Sequence, residues 1–236
     1  MNEGFFISKN VNVIINKSRF RILTKKNLLP LIAAAPTLRK MDILKEFIIQ
    51  AKFRKIPFIK IYETLLQNYL FAGYPSALIS LKILKEVYPN KKLTKAADMN
   101  LYHFRKRGEA NCKKVYGNKY EKLIKNIRWF SPDLAEWLVL EGYGKVLSRK
   151  GLSMKERELC IVAVLTVLKF EDQLYSHING AFRAKASIEE IQSVIETLSL
   201  IGNTNLSAFG LKVLNRFRKE KGMHTKRIPP KKIIRS

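Results

Sequence analysis

Cysteine is nearly absent: Cys112 and Cys160 are the only two in 236 residues, far apart and without the spacing of a disulfide framework or a metal knuckle. No cofactor or metal is therefore expected. Histidine is as scarce, at His103, His177 and His224. No apolar run is long enough to cross a bilayer, and Met1 to Lys9 lacks the charged-then-apolar pattern of a signal peptide. A cytoplasmic protein with no membrane partner is expected. Alternating strand patterns are missing too, which leaves an all-α chain.

Acidic residues are few, 19 Asp and Glu against 45 Lys and Arg, for a formal charge of +26. Such a balance suits polyanions or acidic small molecules as partners. Lysine-covered solvated faces produce the same number, and the basic residues are spread along the whole chain. The exception is the C-terminus, where "RFRKEKGMHTKRIPPKKIIRS" carries nine basic residues around one glutamate. Its Pro229-Pro230 pair and lack of apolar periodicity predict a basic flexible tail over 218–236, through which nucleic acid could bind.

What is present is helix punctuation. Ser131-Pro132-Asp133 reads as an N-cap with proline at the first helical position, opening a helix with Leu134, Trp137, Leu138 and Tyr143. Ser153 with Glu156 and Ser187 with Glu190 are capping boxes. Between them fall two helical stretches. Glu156 to Leu168 is apolar nearly all round and so predicted central. Asp172 to Lys185 places Leu174, His177, Ile178, Ala181 and Phe182 on one buried stripe. A third helix follows Ser187 and stops near Gly202-Asn203.

The plan recurs. Sliding residues 28–84 by 130 positions onto 158–214 gives thirteen identities without a gap, among them Leu29 with Leu159, Asp42 with Asp172, Ala51 with Ala181 and Ile61 with Ile191. Pro57 stands where Ser187 caps its helix, and Gly73-Tyr74-Pro75 marks a break. At the places of Glu158 and His177 the first copy has Leu28 and Phe47. It keeps the packing and drops the polar pair.

The stretch from Tyr143 to Leu198 resembles the carboxymuconolactone decarboxylase family, whose relatives include the alkylhydroperoxidase D-like proteins. The resemblance rests on Tyr143-Gly144, Arg149 before Gly151-Leu152-Ser153, Glu156-Arg157-Glu158-Leu159, Gln173-Leu174 three residues before His177, Ala181, and Ile188-Glu189-Glu190-Ile191. It implies tandem all-helical domains: a degenerate repeat over 1–95, a second domain over 96–217, and a chain that assembles as a homo-oligomer, a trimer of tandem chains.

Two chemistries follow from the family. Its peroxidase-like branch uses a Cys-x-x-Cys whose places here are Phe170 and Gln173, so that thiol mechanism is not available in its usual form. Cys160 lies two residues after Glu158, about 200° round a helix, and reads as a core residue. Cys112, beside Lys113-Lys114, is expected to be exposed. The decarboxylase branch works with a histidine-centred acid/base site on a small anionic lactone acid. Here that implies His177 and Glu158 as catalytic residues, with Arg149 and Arg157 binding the substrate and Arg183 a helper. The branch's glutamate four residues before the histidine is Gln173. A buried histidine held by Glu158 purely for packing remains the competing reading. His103 and His224 are given no role.

Overall fold

The computed structural model describes residues 23–93, 99–202 and 204–223. His224 and most of the expected tail, 224–236, lie outside them. The described residues form helices and connecting turns, with no strand among them.

The first half holds α1 (Lys25–Thr37), α2 (Met41–Phe53), α3 (Phe58–Gln67) and α4 (Tyr69–Val87). Then come α5 (Leu101–Tyr116), α6 (Tyr120–Phe130) and α7 (Pro132–Trp137), which runs on as a π-helix over Leu138–Val146. The chain closes with α8 (Met154–Leu168), α9 (Glu171–Arg183), α10 (Ile188–Thr197) and α11 (Thr204–Glu220). The last of these carries helix into the expected tail as far as Glu220, and just before that tail Arg216 pairs with Glu171 at 2.7 Å.

Two helices without a polar face form the centre. Leu28 to Pro36 on α1 and Arg157 to Val167 on α8 are buried without interruption, and the two helices pack against one another. A helix apolar all round can only be stable when it is enclosed. Each then folds back as a hairpin, α1 with α2 and α8 with α9. The turns are made by Arg39 (φ 56°) and Lys169 (φ 59°). Both capping boxes are formed, at Ser153/Glu156 and Ser187/Glu190.

The offset of 130 seen in the sequence holds for the helix boundaries. Met41–Phe53 lines up with Glu171–Arg183, and Phe58–Gln67 with Ile188–Thr197. Lys55 (φ 56°) and Lys185 (φ 68°) correspond as well. Contacts between the halves are reciprocal. Arg157 donates to Glu63 and Asn27 donates to Ser193, which are the same two positions with the halves exchanged. Lys60 pairs with Glu156, and Lys26 with Glu190, again exchanged. Reciprocity of this kind is what a two-fold axis between the halves produces.

The segment α5 docks on the π-helix at very close range. A β-carbon on Gly108 would lie 2.1 Å from the Val139 carbonyl oxygen, and one on Gly144 would lie 2.1 Å from that of Phe104. Only glycine allows the two backbones to meet there. The approach brings Tyr116, at the end of α5, over the α8/α9 hairpin.

Candidate active site

Glu158 enters from the first half of α8 and His177 from the middle of α9. His177 Nδ1 lies 2.9 Å from Glu158 Oε2. The glutamate is fully buried, and the histidine side chain keeps 8% of its surface. In the tautomer whose Nδ1 donates to the carboxylate, a neutral imidazole would keep the Nε2 lone pair free. Nε2 has no hydrogen-bond partner among the described residues, and Glu158 Oε1 is buried without one. A buried, half-satisfied carboxylate costs stability, and such groups cluster at working sites.

The aromatic surroundings of His177 were hidden from sequence reasoning. Phe71 of α4 meets the His177 ring edge-on at 6.2 Å, and Tyr116 does so at 6.4 Å. Tyr143 donates to the Tyr116 hydroxyl at 3.0 Å. Burial pushes the pKa of both phenols up, and the Glu158 charge adds to the effect, so both keep their protons at neutral pH. The first half thus supplies one wall, Phe71. Its only sequence sign is its place in "LLQNYLFAGYP".

The expected arginines meet a partner of their own. Glu63 of α3, only 1% exposed, takes three hydrogen bonds of 2.9–3.1 Å from Arg149. Arg157 donates to the same carboxylate at 3.0 Å, to Gln67 Oε1 at 3.1 Å and to the Arg149 carbonyl at 2.7 Å. Arg157 is enclosed rather than at a solvated helix end; burial lowers its pKa, against the pull of Glu63. The hold of Glu63 raises that of Arg149. A protein carboxylate therefore occupies the position expected for a substrate anion, and neither arginine bonds to Glu158 or His177. Sequence gave no hint of Glu63, because its counterpart in the second half is Ser193.

The cysteines correct one expectation. Cys112 is buried, not exposed, because it shares a helix face with Phe104, Gly108 and Val115. Burial, helped by Glu109, pushes its thiol up to about 12. Cys160 is buried as expected; burial takes it to about 12, despite a weak contact with Thr64 at 4.0 Å that acts against this. Phe170 and Gln173 are exposed at the start of α9. Among the described residues no three His, Cys, Asp or Glu side chains converge to hold a metal ion, and no helix is long and apolar enough to cross a membrane.

Comparison with known proteins points to one family. Residues 132–215, which hold both Glu158 and His177, match the carboxymuconolactone decarboxylase family. Over that segment the chain is similar to proteins of that family. It is 30% identical over 138 residues to peroxisomal protein 2 of Schizosaccharomyces pombe, covering 57% of this chain and 64% of that protein. Over 87 residues it is 31% identical to the 4-carboxymuconolactone decarboxylase of Acinetobacter baylyi, covering 36% of this chain and 65% of the enzyme. It spans just under two thirds of the length of each.

Proposed function

We propose that the carboxymuconolactone decarboxylase domain performs metal-free acid/base chemistry on a small anionic organic substrate, with His177 moving the proton and Glu158 orienting the imidazole. The observation that carries this is the 2.9 Å contact of His177 Nδ1 with a fully buried carboxylate, which leaves Nε2 unbonded. In a decarboxylation, the electron pair of the breaking C–C bond passes into a conjugated carbonyl as carbon dioxide leaves. A proton must then reach carbon, and Nε2 is the group placed to take it up and return it. Phe71 and the two phenols limit water access and hold donors beside the pair. Of the acidic groups of such a substrate, Arg149 and Arg157 would bind one only by displacing Glu63.

The half from 25 to 87 serves in this reading as a degenerate copy of the same domain. Leu28 and Phe47, both buried, stand in for the catalytic pair. Exposed Trp129, Phe130, Leu134 and Trp137 suit an oligomer of such chains. Replacing His177 with Gln is expected to abolish turnover of the cognate acid while circular dichroism and sedimentation stay unchanged. Turnover that survives the change would reject the assignment. Serine at both Cys112 and Cys160 is expected to leave activity intact; loss there would point to thiol-dependent peroxide reduction instead. The +26 charge favours a second, non-catalytic reading, binding of nucleic acid through the basic tail. It requires an affinity that falls steeply with salt and depends on 218–236.

A further inference from the structure

A groove of about 730 Å³ opens between the C-terminal ends of α5 and α9. Its lining combines buried apolar groups, Val115 and Ala186, with four exposed cations, Lys113, Lys114, Arg183 and Lys185. None of the four forms an ion pair with an acidic side chain among the described residues. Two helix C-termini also point here, and each carries about half a negative charge. Together they offset roughly one of the four cations and leave a strong positive surplus. Lys113 borders a neighbouring groove that contains Glu109 and Glu121, so the surplus is centred on Lys114, Arg183 and Lys185.

The groove adjoins the reactive pair. Gly180 lines it, and a β-carbon at that residue would lie 2.6 Å from Glu158 Oε2. A single glycine backbone therefore separates the groove from the carboxylate that holds His177. Arg183 lies across the turn at Gly117, where any side chain would collide with its guanidinium.

We propose that this groove is a docking site for a small amphiphilic organic acid, with its carboxylate held by Lys114, Arg183 and Lys185 and its apolar body on the half-buried Met154 and Phe182, which also line it. Size and composition fit, since small-molecule sites of about 300–1,000 Å³ combine apolar walls with a few convergent polar groups. The site supplies the cationic anchor that Arg149 and Arg157, held by Glu63, do not offer. For the class of ligand the proposal rests on the acid/base reading above.

Phthalate is the probe, with inorganic phosphate and benzyl alcohol as comparisons, all followed by NMR of the His177 imidazole and by calorimetry. Phthalate is expected to bind saturably, at least tenfold more tightly than either comparison, and to shift the His177 resonances through Glu158. Arg183→Glu with Lys185→Glu is expected to weaken phthalate at least tenfold. Lys82→Glu with Lys212→Glu, exposed lysines elsewhere, removes the same charge and is expected to change it less than threefold. No phthalate binding, phosphate bound as tightly as phthalate, or equal losses in the two double variants would each overturn the proposal. The His177→Gln variant keeps every groove residue and should still bind phthalate. Phthalate binding together with turnover that survives His177→Gln would thus defeat the acid/base reading and leave the groove standing. Turnover without phthalate binding would do the reverse.

Discussion

A β-carbon at Gly180 has no room: Glu158 Oε2 would be 2.6 Å away and Val115 Cγ1 2.8 Å away. Gly180→Ala must therefore push the carboxylate or α5 aside. Overpacking of this kind costs about 1–3 kcal/mol. The expected result is a lower urea midpoint with an unchanged slope, together with a displaced His177 imidazole resonance. Much at this scale was legible beforehand. The helical phase put His177 with Leu174 and Ile178 on one buried stripe, while its association with Glu158 came from the family resemblance. Neighbours in sequence misled for Cys112, where adjacent lysines suggested exposure and the phase shared with Phe104 and Gly108 indicated burial. Tyr116 and Phe71 could not be placed, because nothing local says that α5 ends and α4 begins over the same hairpin.

Helices announce their beginnings through side chains that satisfy backbone N–H groups, and Ser131, Ser153 and Ser187 do so as their sequences indicate. Ser187→Ala is expected to cost ~1 kcal/mol. The box glutamates add a pH dependence. Burial alone would raise the pKa of Glu156, but hydrogen bonds from Lys60 and from the Ser153 backbone and hydroxyl outweigh it and lower it. For Glu190 the Ser187 backbone bond leads, and Lys155 helps against burial. A carboxyl lowered in the folded state stabilises at pH values above its ordinary 4.5, and that stability is lost as pH falls through the folded value. The thermal midpoint should thus hold between pH 7 and 5 and fall below about pH 4.5. Glu190→Gln should make that fall shallower; an identical acid limb would refute the assignment. The winding after Trp137 was not legible. Sequence suggested one α-helix through Tyr143, whereas the chain loosens to a π-helix over Leu138–Val146, and no residue preference marks such a change.

At the scale of the molecule the two halves are held by buried charge as well as by the α1/α8 seam. Glu63 lies between two guanidiniums, and Arg157 beside it is 1% exposed. Removing one partner of a buried pair costs about 3–5 kcal/mol, while replacing both with apolar groups is often neutral. Glu63→Gln is therefore expected to lower stability by that order, and Glu63→Leu combined with Arg157→Leu to recover most of it, as read by denaturant unfolding. Recovery is expected because Arg149, part exposed, can turn to water. The offset of 130 matches some helix boundaries, such as Met41–Phe53 with Glu171–Arg183. It could not foresee this clasp, since the clasp exists only where the halves differ: Arg157 and Glu63 against Asn27 and Ser193.

The left-handed residues at the hairpin turns give the protein an internal control. Arg39 (φ 56°) and Lys169 (φ 59°) share a left-handed φ, as do Lys55 (φ 56°) and Lys185 (φ 68°). Each hairpin pays the same local strain in different surroundings. Glycine introduced at one member and then at its counterpart relieves the same torsion twice within one polypeptide. Any inequality between the two gains measures the neighbourhood alone, with solvent, temperature and unfolded chain held common.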